Sequence, residues 1–332
     1  MPKIEISIII CCYNSESRIV ATLESLLAQQ LDPDVSWEVV LVDNNCSDQT
    51  IAVARNAWTR SDVVLKVVEE SEAGLSAARE CGVRHSSGTF ILYCDDDNWL
   101  APDYLKGAFD FMAENPDYAA IGGWGDVVSD EEVVIPDWFK RFETKYACGK
   151  TNAEGDVDTL VGAGMFLRKD ALLNLQQSGF KSLLSDRKGT ALSSGGDLEL
   201  GLALRLVGWK LYFSEDLYFK HYMPAGRLTE DYLVRMCHGH ALSRPVIGEY
   251  FRLLALKEGR SHWLHKIVPF FVLAVWRLLR SSVRVFGKRA SDDLASSVDF
   301  AIESATNEQY RISLLSGQAF GLRKRVKQNV GL

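Results

Sequence analysis

The 332-residue chain is 47% hydrophobic and 24% charged, enough apolar material for one large domain with an appendage and too much for a disordered chain. Its net charge of -7 is uneven: residues 1–258 hold 25 Lys and Arg against 39 Asp and Glu, whereas residues 259–332 hold 12 against 5. An acidic body excludes nucleic acid as the main partner, because phosphate backbones need a concentrated basic surface, while a basic tail suits an anionic lipid surface.

Seven cysteines show no CxxC spacing, which predicts reduced, packed thiols of a cytoplasmic protein rather than a disulfide frame or a zinc site. The first apolar run, Ile6–Cys12, ends at once in Tyr13-Asn14 and reads as a strand, not an export segment. Asn14 or Ser15 is expected to cap a helix carrying Ile19, Leu23, Leu26 and Leu27 at helical spacing. Trp37–Val42 reads as strand two, with Asp48 capping helix two. A third strand is expected over Val63–Val68, a helix over Leu75–His85 and a fourth strand over Phe90–Cys94. This alternation is that of βαβ units around a mostly parallel sheet, whose ligands gather at the carboxyl ends of the strands. Asp95, Asp96 and Asp97 fall at such an end.

A helix from about Pro102 to Asn115 and a strand near Ala119–Gly123 follow. The stretch to Lys150 is then irregular and aromatic, with Trp124, Trp138, Phe139, Phe142 and Tyr146, as expected of an acceptor-binding insertion. Gly162-Ala163-Gly164 precedes a short apolar stretch, Asp197 begins a helix to about Val207, and Leu211–Phe213 reads as the last core strand. Between Gly259 and Ser291 stand seven Lys or Arg and no acid, around the apolar run Ile267–Trp276. Ten apolar residues fall short of the roughly 20 that cross a bilayer, so a helix over 263–286 is expected to lie in the headgroup layer or to pack on the body.

Three successive carboxylates repel one another unless a cation neutralises them, and oxygen donors without nearby Cys or His select a hard ion, Mg²⁺ or Mn²⁺. Such an ion takes its remaining ligands from a substrate diphosphate; the alternative is a solvated acidic turn. Asp197, in Gly196-Asp197-Leu198-Glu199-Leu200, is stabilised as an anion at a helix N-terminus and is either a proton acceptor or a plain cap. His221 and Arg227 stand together after the last strand, suited to a diphosphate site, although a lone His is more often structural.

These residues resemble the family 2 glycosyltransferases of the GT-A fold. The resemblance rests on Ile8–Asn14, on Val40–Asn44 with Ser47–Thr50, on Gly74–Arg79, on Tyr93–Trp99 and on Gly196–Leu200, and it covers residues 4 to about 230. It implies a GT-A domain over 1–230, with a nucleotide-binding half at 1–100 and an acceptor-binding half at 101–230, followed by a basic helical extension over 231–332. By that similarity Tyr13 and Asp43 hold the nucleobase, supported by Glu16, and Gly74 and Arg79 stand beside the diphosphate. Asp95 lies near the ribose and the metal, Asp97 and His221 hold the metal, Asp96 shares either duty, and Arg227 grips the departing diphosphate. Asp197 takes the acceptor proton, and Trp124, Gly164 and Glu199 face the acceptor; Gly196 departs from the acid that the family places there.

The implied reaction is an inverting transfer from a nucleotide sugar, UDP-linked in most of the family, to a glycan or lipid-linked hydroxyl in surface polysaccharide synthesis. The implied place is the inner face of the cytoplasmic membrane, in peripheral contact with anionic lipid. A dinucleotide oxidoreductase would need G-x-G-x-x-G after strand one, where Cys12-Tyr13-Asn14-Ser15 stands. A nucleotidyltransferase would need a basic, Gly-rich loop there, and an embedded synthase would need a spanning segment. An inactive nucleotide-sugar binding or scaffold protein on the same fold is the remaining alternative.

Overall fold

The computed structural model describes residues 3–184, 186–187, 192, 194–260, 294–315 and 318–331. The chain divides into two compact units, Met1–Asn174 with Trp209–Leu228, and Leu175–Gly208 with Thr229–Leu332. The division differs from a boundary at residue 230: residues 175–208 join the C-terminal helices rather than the sheet.

The first unit is built on strands β1 (Ile6–Cys12), β2 (Trp37–Asp43), β3 (Val64–Glu69) and β4 (Phe90–Asp95), ordered β3-β2-β1-β4 and parallel throughout. Ile6, Ile8, Ile9 and Ile10 of β1 are buried, as a strand covered on both faces requires, and each such side chain contributes about 1.5–3 kcal/mol of burial. Helices α1 (Ile19–Leu27), α2 (Thr50–Ala57) and α3 (Leu75–His85) connect the strands. Helix α1 begins later than its cap residues predict. Asn14 adopts a left-handed φ of 52°, Ser15 is buried with its hydroxyl on Asp96, and the Ser15 carbonyl rather than a side chain accepts from the amides of Arg18 and Ile19. Asp48 does serve α2: its Oδ1 accepts from the amide of Thr50 at 3.1 Å.

Beyond β4 the sheet becomes mixed. β5 (Asn98–Leu100), β6 (Tyr118–Val128), β7 (Gly155–Val157), β8 (Phe166–Arg168) and β9 (Lys210–Tyr222) complete the order β3-β2-β1-β4-β8-β6-β9-β5, with β7 beside β9. β8 runs antiparallel to β4 and β6, β5 antiparallel to β9, and β6 parallel to β9. β6 and β9 extend well past the apolar cores that mark them in the sequence, because a second register beyond a bulge pairs Trp124–Val128 with Tyr218–Tyr222. Helix α4 (Tyr104–Glu114) buries Tyr104, Leu105, Ala108 and Met112, and the short helix α5 (Phe139–Phe142) lies in the aromatic insertion.

The second unit gathers α7 (Gly196–Val207), α8 (Glu230–Ala241), α9 (Arg244–Lys257), α10 (Leu294–Leu315) and α11 (Gln318–Asn329); α6 (Lys169–Gln177) runs across the division in the chain. The expected interfacial helix over 263–286 lies outside the described residues. Among the described residues no helix is long and apolar enough to cross a membrane.

Candidate active site

Four parallel strands end at one edge of the first unit, and the register states which residues share it. Cys12 pairs with Asp43, Asp43 with Glu69, and Cys11 with Asp95. Tyr13, Asp43 and Asp95 are thereby brought to the carboxyl ends of neighbouring strands, where ligands of open parallel sheets bind. Tyr13 is 54% exposed, so its ring is open to stacking. Asp43 directs Oδ1 to the amide of Cys46 at 2.9 Å. Glu16 accepts from the amide of Gln49 at 3.0 Å, so it braces the turn before α2.

Gly74 stands before α3 at φ 133°, a conformation that a side chain resists. Its amide donates to Asn44 Oδ1 at 2.9 Å, and Asn44 Nδ2 donates to the carbonyls of Glu70 at 2.8 Å and Glu72 at 2.7 Å. Asn44, buried and absent from the expected set, therefore pins the loop that presents Gly74; an amide directly after a strand-end aspartate is the signal that pointed to it. From α3, Arg79 lies over the Tyr93 ring at 4.8 Å and meets Asp95 Oδ1 at 3.3 Å. Gly162 gives its guanidinium room: a Cβ there would stand 2.8 Å from the terminal nitrogen.

The aspartate triplet splits. Asp95 faces Arg79. Asp96 is buried and bonds the Ser15 hydroxyl and Arg18, the latter at 2.7 Å, while its carbonyl accepts from Thr22 Oγ1 at 2.9 Å. It ties α1 to the strand end. Burial and the charge of Asp97 push the Asp96 carboxyl up against the pull of Arg18. The protein thus supplies a basic partner for each acid, so relief of repulsion does not by itself demand a metal.

Asp97 has a different company. Its Oδ2 accepts from Arg227 at 2.8 Å, and its Oδ1 lies 3.4 Å from His221 Nε2 and 3.3 Å from Asn98 Nδ2. The β5–β9 ladder does this: Asn98 pairs with His221, and the amide of Tyr222 donates to the carbonyl of Asp97 at 2.8 Å. Burial opposes ionisation of Asp97, yet His221, Arg227 and Arg18 together hold its carboxyl well below the usual range. Burial likewise opposes the His221 imidazolium, but the Asp97 carboxylate and a contact with Cys148 raise it to about 10.

The Asp97–His221 pair fits a hard cation. Two ligands on neighbouring corners of an octahedral ion, with bonds of about 2.1 Å, stand about 3 Å apart, close to the separation observed, and such binding leaves the Arg227 bond on the other oxygen intact. Among the described residues there is no group of three or more acids, histidines or cysteines able to hold an ion. Asp95 consequently does not join Asp97 and His221 in one cluster, and an ion held by the pair takes its other ligands from a diphosphate and water.

Trp124 pairs with Tyr218 and Gly125 with Phe219, so strand alternation sets Trp124 on the sheet face opposite His221, its Nε1 donating to the Glu215 carbonyl at 2.9 Å. Gly164 is buried at φ 73° with its carbonyl taken by the Tyr104 hydroxyl at 2.6 Å. Glu199, in the second unit, is 0% exposed and accepts from Ser182, from the amides of Leu183 and Leu184 and from Tyr250. It holds α7 to its surroundings. Asp197 lies in the first turn of α7, where its Oδ1 accepts from the amide of Leu198 at 2.8 Å.

The profile of glycosyl transferase family 2 matches residues 7–174. Glycosyltransferase AglE of Haloferax volcanii is 34% identical over 241 residues, 68% of this chain and 69% of that protein. The glucosyl-dolichyl phosphate glucuronosyltransferase of the same organism is 30% identical over 139 residues, 41% of this chain and 40% of its own. The first three curated relatives are matched over only 28%, 40% and 19% of their lengths. Among solved structures, mannosyltransferase PcManGT of Pyrobaculum calidifontis, in complex with GDP-Man and Mn²⁺, superposes with a TM-score of 0.53 at 18% identity, over 98% of this chain and 86% of that one. S. aureus TarS 1-349 gives 0.50 at 18% identity over 99% and 90%. At that identity the two structures establish the fold, and the profile match with the relationship to AglE establishes the rest: the chain belongs to glycosyl transferase family 2 and has the GT-A fold.

Proposed function

We propose that this protein transfers a sugar from a nucleotide-diphosphate donor to a hydroxyl of a glycan or lipid-linked acceptor, with inversion at the anomeric carbon, in the synthesis of a surface polysaccharide. The observation that carries the reading is the convergence of Asp97, His221 and Arg227 one turn beyond a sheet edge that also presents Tyr13, Asp43, Arg79 and Asp95. Tyr13 stacks on the base and Asp43 accepts from it. Arg79 and Arg227 hold the diphosphate, as planar guanidinium groups suit phosphate oxygens. Mn²⁺ or Mg²⁺ on Asp97 and His221 would stabilise the charge that develops on the leaving diphosphate. Asp197 takes the acceptor proton as the acceptor oxygen forms its bond to the anomeric carbon and the bond to the diphosphate breaks. We take UDP as the nucleotide; S. aureus TarS has been solved with UDP-GlcNAc, and PcManGT with GDP-Man, so both nucleotides belong in the test.

Calorimetry of UDP and GDP with and without Mn²⁺ tests the site. Asp97→Ala should abolish the part of the affinity that depends on Mn²⁺, and an unchanged metal-dependent affinity would remove Asp97 from the metal. Asp197→Asn should bind donor as the wild type does and lose at least about a hundredfold in transfer, the scale of a missing general base. Full transfer by that variant would strip Asp197 of the role.

A further inference from the structure

The irregular insertion contains one turn that reaches both ion-pair partners of Asp97, His221 and Arg227. Ala147 adopts a left-handed φ of 55°, and Gly149 follows at φ 70° with its amide on the Gly125 carbonyl at 2.7 Å, which anchors the turn to β6. The turn points Cys148 inward, where it is fully buried. Cys148 Sγ lies 3.7 Å from the Tyr146 carbonyl and 3.8 Å from His221 Nδ1. A thiol has one hydrogen, and a carbonyl can only accept it. With that hydrogen on the Tyr146 carbonyl, the sulfur acts as acceptor toward His221, and Nδ1 carries the hydrogen. The hydrogen that a cation would displace is then the one on Nε2, the atom 3.4 Å from Asp97 Oδ1, which leaves the lone pair there. At the other end of the turn the Tyr146 hydroxyl donates to the carbonyl of Arg227 at 3.1 Å, and Arg227 in turn bonds Asp97 Oδ2.

We propose that Cys148 is a positioning residue for His221: by accepting the Nδ1 hydrogen it fixes the ring plane and the tautomer that turns the Nε2 lone pair toward a cation on Asp97. The assignment rests on the metal reading given above. Partners of this kind behind a metal-binding histidine typically change metal affinity about 10–100-fold when removed. Cys148 differs from the usual carboxylate or carbonyl in being a neutral, weak acceptor, so it orients the ring without adding charge beside Asp97.

The test is Mn²⁺ affinity of the full chain, read from the electron paramagnetic resonance of free Mn²⁺ in the presence of whichever of UDP and GDP the wild type binds. Cys148→Val removes the acceptor and keeps an apolar side chain, and it should weaken Mn²⁺ about tenfold. Cys148→Ser keeps an acceptor and should stay within about threefold of the wild type on the same scale. In a His221→Ala background, Cys148→Val should change nothing further. Unaltered Mn²⁺ affinity in Cys148→Val overturns the proposal. So does an equal loss with and without His221, which would show that Cys148 serves the fold alone. A wild type that binds nucleotide but no Mn²⁺ removes the metal reading itself, a result distinct from either of these.

Discussion

At Asp97 two demands meet in one carboxylate. In the proposed metal role it must stay ionised while buried and keep an oxygen available for a cation. Arg227 on Oδ2 answers the first, and the loose 3.4 Å approach of His221 to Oδ1 is compatible with the second. Arg79 is held in a similarly exact manner by the Tyr93 ring beneath it and by the bare Cα of Gly162 beside it. Gly162→Ala would put a methyl 2.8 Å from the guanidinium, whose flexible stem lets it swing away rather than unfold the site. An arginine–phosphate hydrogen bond is worth about 1.5–3 kcal/mol, so Gly162→Ala should weaken donor-nucleotide binding by at least about tenfold. Its thermal midpoint should move little, and nucleotide affinity equal to the wild type would show that Arg79 does not touch the diphosphate.

Elements owe their placement to small polar devices as much as to apolar faces. Asn44 makes three bonds across the loop before α3, and Glu199 closes the start of α7 with acceptors for Ser182, Leu183, Leu184 and Tyr250. Tyr250 passes the connection on by accepting from Asn329 Nδ2 at 2.9 Å, joining α7, α9 and α11 within the second unit. Burial raises the Glu199 carboxyl above its ordinary value, and those hydrogen bonds offset part of the penalty. Because both carboxylate oxygens accept, Glu199→Gln sets an amide donor against backbone donors. The expected loss is about 1–3 kcal/mol in urea unfolding, with no direct effect on donor binding. An unchanged midpoint would mean that the polar cluster is not holding α7.

For the whole molecule, acid and base are segregated along the chain, and the basic stretch between Gly259 and Ser291 is consistent with a protein that works at a lipid surface. We take peripheral contact with an anionic membrane as part of the proposed function. Each basic side chain near such a surface contributes about 1 kcal/mol. Arg277→Glu with Arg280→Glu should therefore reduce sedimentation with phosphatidylserine vesicles by roughly thirtyfold or more, while leaving the protein off neutral vesicles as before. Equal sedimentation of variant and wild type on anionic vesicles would dismiss that contact.

Local pattern in the sequence determined the parallel strands β1 to β4, the helices between them and the acids at the strand ends, because burial on both faces leaves unbroken apolar runs and each run ends where solvent begins. It marked His221 and Arg227 by their place after a strand, and the helix that starts beside Asp197 by its glycines. What each acid does was decided only in three dimensions. Neighbouring side chains leave a strand end in different directions, so Asp95, Asp96 and Asp97 meet Arg79, Arg18 and His221 with Arg227. That outcome depends on the β5–β9 ladder, on the long second registers of β6 and β9, and on a left-handed turn at Ala147. None of these leaves a periodic trace, since three-residue strands and single turns draw their stability from distant partners rather than from their own sequence.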